Sequence, residues 1–349
     1  MFEMNSFIKR EFYLEVKEPR IINSRSDLFK SIIGPYIHAA EHLIYDEHFI
    51  KHCKPEEVAR KMMDVAKGFD LFYETDYSSF EGSFDHWLLM NVELPLFRRL
   101  FSNYPEIRRL IEKAYEIKNV LRFRRRLAAS FYGSRMSGEM WTSMCNGFMN
   151  KMLVMFMARK SNANVNFLVE GDDGFIASNR ELDVSIAEKL GFKLKFDTTT
   201  NPRNIAFCSL RVCGHLLVPD IKRTLAHYGS TTDPRVSKLF TNDSKTSIKK
   251  RRDYIYAKAL SLLTVARGIP ILQEVAMQQI RCVPNAHLRM EYVDWWEKHY
   301  FDLTSLKTEP VLMKTRKYVE KNFHIPVDRQ IELEKQIRKM TDLCYDIEL

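Results

Sequence analysis

Apolar positions recur at helical spacing between about Pro35 and Gly68, where Ile37, Ala40, Leu43 and Ile44 fall on one face, so a helical stretch is predicted there. Ahead of it, "EFYLEV" (11–16) and "RIIN" (20–23) read as short strands, with Pro19 and Pro35 as punctuation. "DLFYETD" (70–76) fits another strand. Ser83 is placed to cap a helix through "FDHWLLMNVELPLFRRLF" (84–101), kinked at Pro95 because proline removes an amide donor. "PEIRRLIEKAYEIKN" (105–119) is again helical. "LAASFYGSRMSG" (127–138) ends in a flexible loop holding Gly133 and Gly138, and a long helix follows from about Glu139 to Ala158.

"NFLVEGDDGFIAS" (166–178) then reads as strand, turn, strand. Phe167 to Glu170 and Phe175 to Ala177 are the arms, and Gly171 to Gly174 the tip, with Asp173-Gly174 as a strong hairpin dipeptide. Beyond about residue 220 the pattern is mostly helical. One helix ends at "VARGIP", where Gly268 suits a C-cap and Pro270 a stop. Leu333, Ile337, Met340 and Cys344 mark an amphipathic terminal helix.

Composition adds bounds. A chain of 349 residues has room for roughly two domains, or one large domain with subdomains. Fifty-four Lys and Arg against 45 Asp and Glu give a net charge of +9, which suits a polyanionic partner. The six cysteines show no CxxC pair, so neither a disulfide framework nor a regular zinc module is indicated, although Cys208, Cys213 and His215 are spaced as conceivable ligands. No stretch reaches the roughly 18 apolar residues of a membrane span, and the N-terminus lacks the apolar segment of a signal peptide.

Three stretches carry chemistry. In the hairpin, Asp172 and Asp173 either decorate a solvated turn or hold a cation, since adjacent carboxylates repel unless something positive lies nearby. In "YETDYSSFEGSFD" (73–85), Asp76 ends a predicted strand, Glu81 follows, and Asp85 fits better as a helix-start residue. An acid at a strand end can share a divalent ion with the hairpin pair, the arrangement of a two-metal phosphoryl-transfer site. In "GSRMSGEMWTSMCNGFMN" (133–150), Thr142 and Asn146 lie four apart on one helical face, with Ser137 and Gly138 in the loop before it. A hydroxyl and an amide there can hydrogen-bond a sugar hydroxyl.

Taken in order, these residues resemble the signature of RNA-dependent RNA polymerases of positive-strand RNA viruses. Asp76 to Asp85 resembles motif A, "SGEMWTSMCN" (137–146) motif B and "GDD" (171–173) motif C. "KREFYLEVKEPRIINSRS" (9–26) is similar to motif F, "GFKLKF" (191–196) falls where motif D would, and "AFCSLRV" (206–212) looks like motif E. The wording is closest to tombusvirus-like or nodavirus-like members. Glu81 departs from the family's usual Asp at that position. Motif F begins near Lys9, so further fingers residues are expected ahead of it and the chain reads as part of a longer polypeptide.

The resemblance implies an α+β right-hand fold with fingers, an antiparallel-sheet palm and a helical thumb. Residues 1–68 would be partial fingers, 69–218 the palm with an inserted fingers segment at about 98–130, and 219–349 the thumb. It implies two-metal nucleotidyl transfer on Mg²⁺, with Mn²⁺ as the alternative ion, held by Asp76, Asp172 and Asp173. Lys17 and Arg20 would meet the triphosphate, with Lys9, Arg10 and Arg25 as lesser candidates. Ser137, Thr142, Asn146 and Glu81 would read the ribose 2′-OH. Lys193 and Lys195 read best as surface lysines, and the basic runs "RFRRR" (122–126) and "KKRR" (249–252) as solvated faces or RNA-tracking surfaces. Partners would be template and nascent RNA, nucleoside triphosphates and other viral replication proteins, in the host cytoplasm at membrane-associated replication complexes. A reverse transcriptase fits less well, because the Asp pair follows Glu170-Gly171, and an inactive RNA-binding relative would not need all three aspartates.

Overall fold

The chain begins with an antiparallel pair, β1 (Met4–Ile8) and β2 (Ile21–Arg25), in which Met4 faces Arg25 and Ile8 faces Ile21. The computed structural model describes residues 2–11, 13, 15–123, 127–293 and 307–342. "RIIN" is thus a strand, but the described residues of "EFYLEV" are not: β2 takes β1 as its partner, and Val16 is fully exposed, with no face to bury. Phe12 and Leu14 lie outside the described residues.

Helix α1 (Asp27–Ile44) starts earlier than its periodicity suggested, because the Ser26 side chain accepts a hydrogen bond from the Phe29 amide and caps it. Pro35 lies inside this helix rather than at its edge; burial of Phe29, Ile33, Ile37 and Ala40 on one face outweighs the lost amide donor. Helix α2 (Pro55–Val65) and strand β3 (Leu71–Tyr77) follow. Asp85, not Ser83, caps the next helix, accepting from the Leu88 amide at 2.8 Å. That helix runs as α3 (His86–Leu88), a widened π turn (Leu89–Glu93) and α4 (Leu94–Leu100). The π turn lies just ahead of Pro95, where the missing donor loosens the ladder.

Helix α5 (Pro105–Glu116) leads into a hairpin of β4 (Asn119–Phe123) and β5 (Leu127–Phe131), so the segment from Leu127 is first a strand and then a loop. Together these strands form a sheet of order β2-β1-β4-β5. Arg124, Arg125 and Arg126 of the first basic run lie outside the described residues.

Helix α6 (Thr142–Lys160), strands β6 (Val165–Glu170) and β7 (Asp173–Ser178), helix α7 (Ser185–Lys189) and strand β8 (Leu194–Thr199) complete the site-bearing part. Its sheet has the order β6-β7-β3-β8 with every neighbour antiparallel. Phe29, Ile33, Trp141, Met149, Ile176 and Phe192 belong to one hydrophobic core that packs with it. Strand β7 is buried on both faces from Gly174 to Ser178, which explains its unbroken apolar run.

The rest is a hairpin, β9 (Leu210–Cys213) and β10 (Leu216–Pro219), and then helices α8 (Ile221–His227), α9 (Pro234–Phe240), α10 (Lys245–Ala266), α11 (Leu272–Cys282), α12 (Met313–Phe323) and α13 (Val327–Lys339). Gly268 follows α10 at φ +70°, the left-handed geometry expected of it. In α13, Leu333 and Ile337 are buried; Met340, just past its end, is exposed, and Cys344 lies outside the described residues. A separate core gathers Leu263, Leu272, Val319, Phe323, Leu333 and Ile337.

The fold is therefore α+β, and it divides into two compact units. The first comprises Met1–Lys9, Glu18–Lys51 and Lys61–Cys208, the second Arg10–Lys17, His52–Arg60 and Ser209–Leu349. The units interleave in sequence, because two short early segments pack with the later part of the chain.

Candidate active site

Strand pairing brings the acids together. Thr75 of β3 faces Gly174 of β7, so Asp76 and Asp173, the next residue outward on each strand, stand at neighbouring strand ends. Glu170 pairs with Asp173, which makes Gly171-Asp172 the two-residue turn, not Asp173-Gly174 as the dipeptide suggested. Gly171 has φ +59° and Asp172 is not among the residues with positive φ, the pattern of a type II′ turn with glycine at its first central position. Gly174 serves another purpose. A β-carbon there would lie 2.4 Å from Thr75 Oγ1, so the close approach of β3 requires glycine.

The electrostatics follow from that crowding. Burial, then the charges of Asp172 and Asp76, push the Asp173 carboxyl up to about 7, opposed by a hydrogen bond from the Cys208 thiol. Burial, then Glu81 and Asp76, also raise Asp172, while the Arg20 guanidinium acts in the opposite direction. Burial and the nearby acids, Asp173 first among them, push the Cys208 thiol well above its ordinary value. Cys208 and Ser209 both hold left-handed backbone, at φ 52° and 62°.

Glu81 lies on a short 3₁₀ turn, Phe80–Ser83, and its Oε1 accepts a hydrogen bond from Asn146 Nδ2 at 3.1 Å. The residue with one extra methylene thus reaches the α6 amide. Thr142, on the same helical face one turn earlier, donates its hydroxyl to the Met136 carbonyl at 3.2 Å and tethers the loop. The Ser137 carbonyl accepts from the Asn23 amide at 2.7 Å, and Gly138, at φ +104°, passes so close to β2 that a β-carbon would meet Ile22 Cγ2 at 2.8 Å. The loop before α6 is braced by β2. Glu81 and Asn146 are joined directly, whereas the Thr142 hydroxyl and the Ser137 carbonyl support the loop.

The basic residues scatter. Arg25 is buried and donates to both Glu139 carboxylate oxygens, at 2.8 and 2.9 Å, which makes it a structural partner rather than a triphosphate contact. The Lys9 amide donates to the Arg20 carbonyl at 2.8 Å, holding the strand-end crossing. Lys17 and Arg10 belong to the second unit, where the Thr232 hydroxyl donates to the Arg10 carbonyl at 3.4 Å and the Asp233 carboxyl is lowered first by hydrogen bonds from Arg235 and last by the charge of Arg10. In "KKRR", Arg251 Nη2 binds Asp243 at 2.9 Å and its Nε the Leu239 carbonyl at 3.1 Å. Arg122 pairs with Glu3 at 2.9 Å. Lys195 faces Asp76 across the β3–β8 ladder.

Two groups of residues were not legible beforehand. Asn150, fully buried one turn beyond Asn146, donates from Nδ2 to the carbonyls of Gly171 at 3.2 Å and Asp173 at 3.0 Å. The signal was present as a second amide four residues along the same helix face. Arg135 forms a buried ion pair with Glu93, accepts the ring of Phe84 beneath its guanidinium at 4.1 Å, and shares Glu93 with the Tyr115 hydroxyl.

Among the described residues, no group of three or more His, Cys, Asp or Glu side chains is gathered closely enough to hold a metal ion by itself. The Cys208, Cys213 and His215 alternative therefore gains no support, and His215 lies 3.3 Å from Glu309. The carboxylates of Asp76, Asp172 and Asp173 fit an ion held differently. Mg²⁺ keeps several waters and binds through one or two carboxylates plus substrate phosphates, so an open edge of hard oxygen donors with mutual repulsion suits it.

The model of the family described as viral RNA dependent RNA polymerase matches residues 89–344. Glu81, Asp76 and the motif F segment precede that span, while Asn146 and the Asp172-Asp173 hairpin lie inside it. The chain is 25% identical over 221 residues to the RNA-directed RNA polymerase of Pariacoto virus, covering 59% of this chain and 22% of that protein. The enzyme of the same description from greasy grouper nervous necrosis virus is 26% identical over 204 residues (55% and 21%), and that from striped jack nervous necrosis virus 24% over 204 (55% and 20%). The chain spans about a fifth of the length of these curated relatives. The nodavirus-like part of the resemblance agrees with them. Among the described residues, no helix is long and apolar enough to cross a membrane.

Proposed function

The chain belongs to the viral RNA-dependent RNA polymerase family, and on that premise we propose that it carries the nucleotidyl-transfer centre of template-directed RNA synthesis, replicating and transcribing a viral genome. The observation that carries this reading is the meeting of Asp76 and Asp173 at the ends of paired strands beside Asp172, where burial and the neighbouring carboxylates raise the ionisation cost of Asp172 and Asp173. A structural surface has no use for such repulsion; a site that receives cations does.

The sheet β6-β7-β3-β8 would be the palm, the residues before it with the β4–β5 region the fingers, and the helices after about residue 219 the thumb. Asp76 and Asp172 would hold Mg²⁺, with Asp173 assisting. Two such ions, when bound, would supply the chemistry: one would lower the pKa of an attacking RNA 3′-hydroxyl and the other would neutralise the leaving pyrophosphate. Arg20, whose charge already acts on Asp172, would meet the triphosphate from the fingers side, with Lys17 as a further candidate. The Glu81–Asn146 pair offers both acceptor and donor to a ribose 2′-hydroxyl, and Ser137 and Thr142 would complete that group. Protein groups bind, orient and hold charge; none acts as a nucleophile.

The test is extension on an RNA template with ribonucleotides and Mg²⁺, comparing wild type with Asp173→Asn. Loss of synthesis with retained RNA binding is expected. Unchanged synthesis would overturn the assignment.

A further inference from the structure

Helix α6 packs against the carboxylate hairpin. At Gly147 a β-carbon would meet Phe49 Cε1 at 2.8 Å and the Gly171 amide nitrogen at 3.7 Å, so the helix backbone lies against the turn itself. One turn of helix separates the two amides flanking this contact. Asn146 reaches Glu81, and Asn150 reaches the hairpin.

Asn150 bonds in a way that suits positioning. Its amide nitrogen donates both hydrogens, to the carbonyls of Gly171 and Asp173, which bracket Asp172. Its Oδ1 accepts from the Tyr77 hydroxyl at 3.4 Å, and Tyr77 follows Asp76 on β3. The side chain therefore ties both ends of the turn to the strand that carries the third acid. Because Asn150 is fully buried, water does not replace these bonds when the side chain is removed. Three mutually repelling carboxylates would otherwise relax apart by twisting a two-residue turn about its glycine.

We propose that Asn150 is a positioning residue that holds the Gly171-Asp172 turn against β3, setting the spacing of Asp76, Asp172 and Asp173 for a divalent cation. It acts through the backbone of the acids and touches neither ion nor nucleotide. Since it lies on the same helix as Asn146, the ion-holding edge and the ribose-reading pair are fixed to one rigid rod. The inference rests on the proposed metal role of the three acids, and its test separates the two.

The experiment measures Mn²⁺ binding by electron paramagnetic resonance, without substrate, for wild type, Asn150→Ala, Asn150→Ser and Asp173→Asn, with thermal unfolding of each. Loss of an outer partner of metal ligands weakens metal binding by roughly 10-fold or more. Asn150→Ala is expected to show that loss, and Asn150→Ser, which keeps one donor, a smaller one, both beyond any fall in unfolding temperature. If Asp173→Asn weakens Mn²⁺ binding and both Asn150 variants bind it as wild type does, the positioning role is overturned and the metal reading stands. If Asp173→Asn leaves Mn²⁺ binding unchanged, the metal reading falls and this inference with it. Should Asn150→Ala fail to fold, the ranking of Asn150→Ser against wild type decides.

Discussion

Asp173→Asn should stabilise the metal-free chain. In the fold the Asp173 carboxyl is pushed up to about 7 from an ordinary 3.8, by burial and by Asp172 and Asp76. The folded chain therefore holds this proton at a higher pH than the unfolded chain. The ionisation penalty is absent below about pH 4, grows as pH rises toward about 7, and is complete above it. At about 1.4 kcal/mol per pH unit, the penalty is capped near 4 kcal/mol. Partial exposure of the group and solvent screening reduce it to roughly 2 kcal/mol. Asparagine has nearly the same shape and no charge, so urea unfolding with EDTA at pH 8 should show the variant more stable by about 2 kcal/mol, a midpoint shift of roughly 1 M. The advantage should vanish near pH 4. Added Mg²⁺ at pH 8 should narrow it by stabilising only the wild type, because a ligand of the native state raises its stability. A variant no more stable than wild type at pH 8, or equally favoured at pH 4, would refute the repulsion argument.

The remaining predictions concern neighbouring positions. Asn146→Ala should reduce the preference for ribonucleotides over deoxyribonucleotides by about tenfold, the worth of one hydrogen bond, in competitive incorporation; unchanged discrimination would remove Asn146 from ribose reading. Gly174→Ala should destabilise the chain by about 1–3 kcal/mol in urea titration and depress RNA synthesis, because the new methyl group would press on Thr75 Oγ1 beside Asp173. Arg25→Met should lose about 3–5 kcal/mol by removing the direct ion-pair partner of the buried Glu139 carboxylate, and Arg25→Met with Glu139→Leu should recover much of that; a double variant as unstable as the single one would argue against the ion pair.

Where the chemistry was local, the sequence was legible. The strand ending at Asp76, the hairpin arms, the helix carrying Thr142 and Asn146, and the stop at Gly268 all follow from periodicity and turn chemistry within a few residues. So did the acidic stations themselves, since their order along the chain is a property of the chain. Helix starts were less clear. Ser26 and Asp85 are the caps, but Ser83 was an equally good candidate by residue type, and the backbone path alone separates them.

Other features depended on pairing between distant segments. The β6–β7 register makes Gly171-Asp172 the turn, and the approach of β3, about a hundred residues away in sequence, is what requires glycine at 174. By residue type Arg25 is one more basic residue of the motif F stretch; its buried pairing with Glu139, far away in sequence, sets it apart. Arg10 and Lys17 sort with the second unit although their neighbours in sequence sort with the first. Asn150 gave no sign of its partners. By itself the sequence determined which residues could do the chemistry and the local elements that carry them, because those follow from residue type and spacing. The tertiary structure decided which carboxylates meet, which cations are already spent on buried partners and which amide holds the turn, because burial and charge interaction depend on distances that long-range strand and helix packing alone sets.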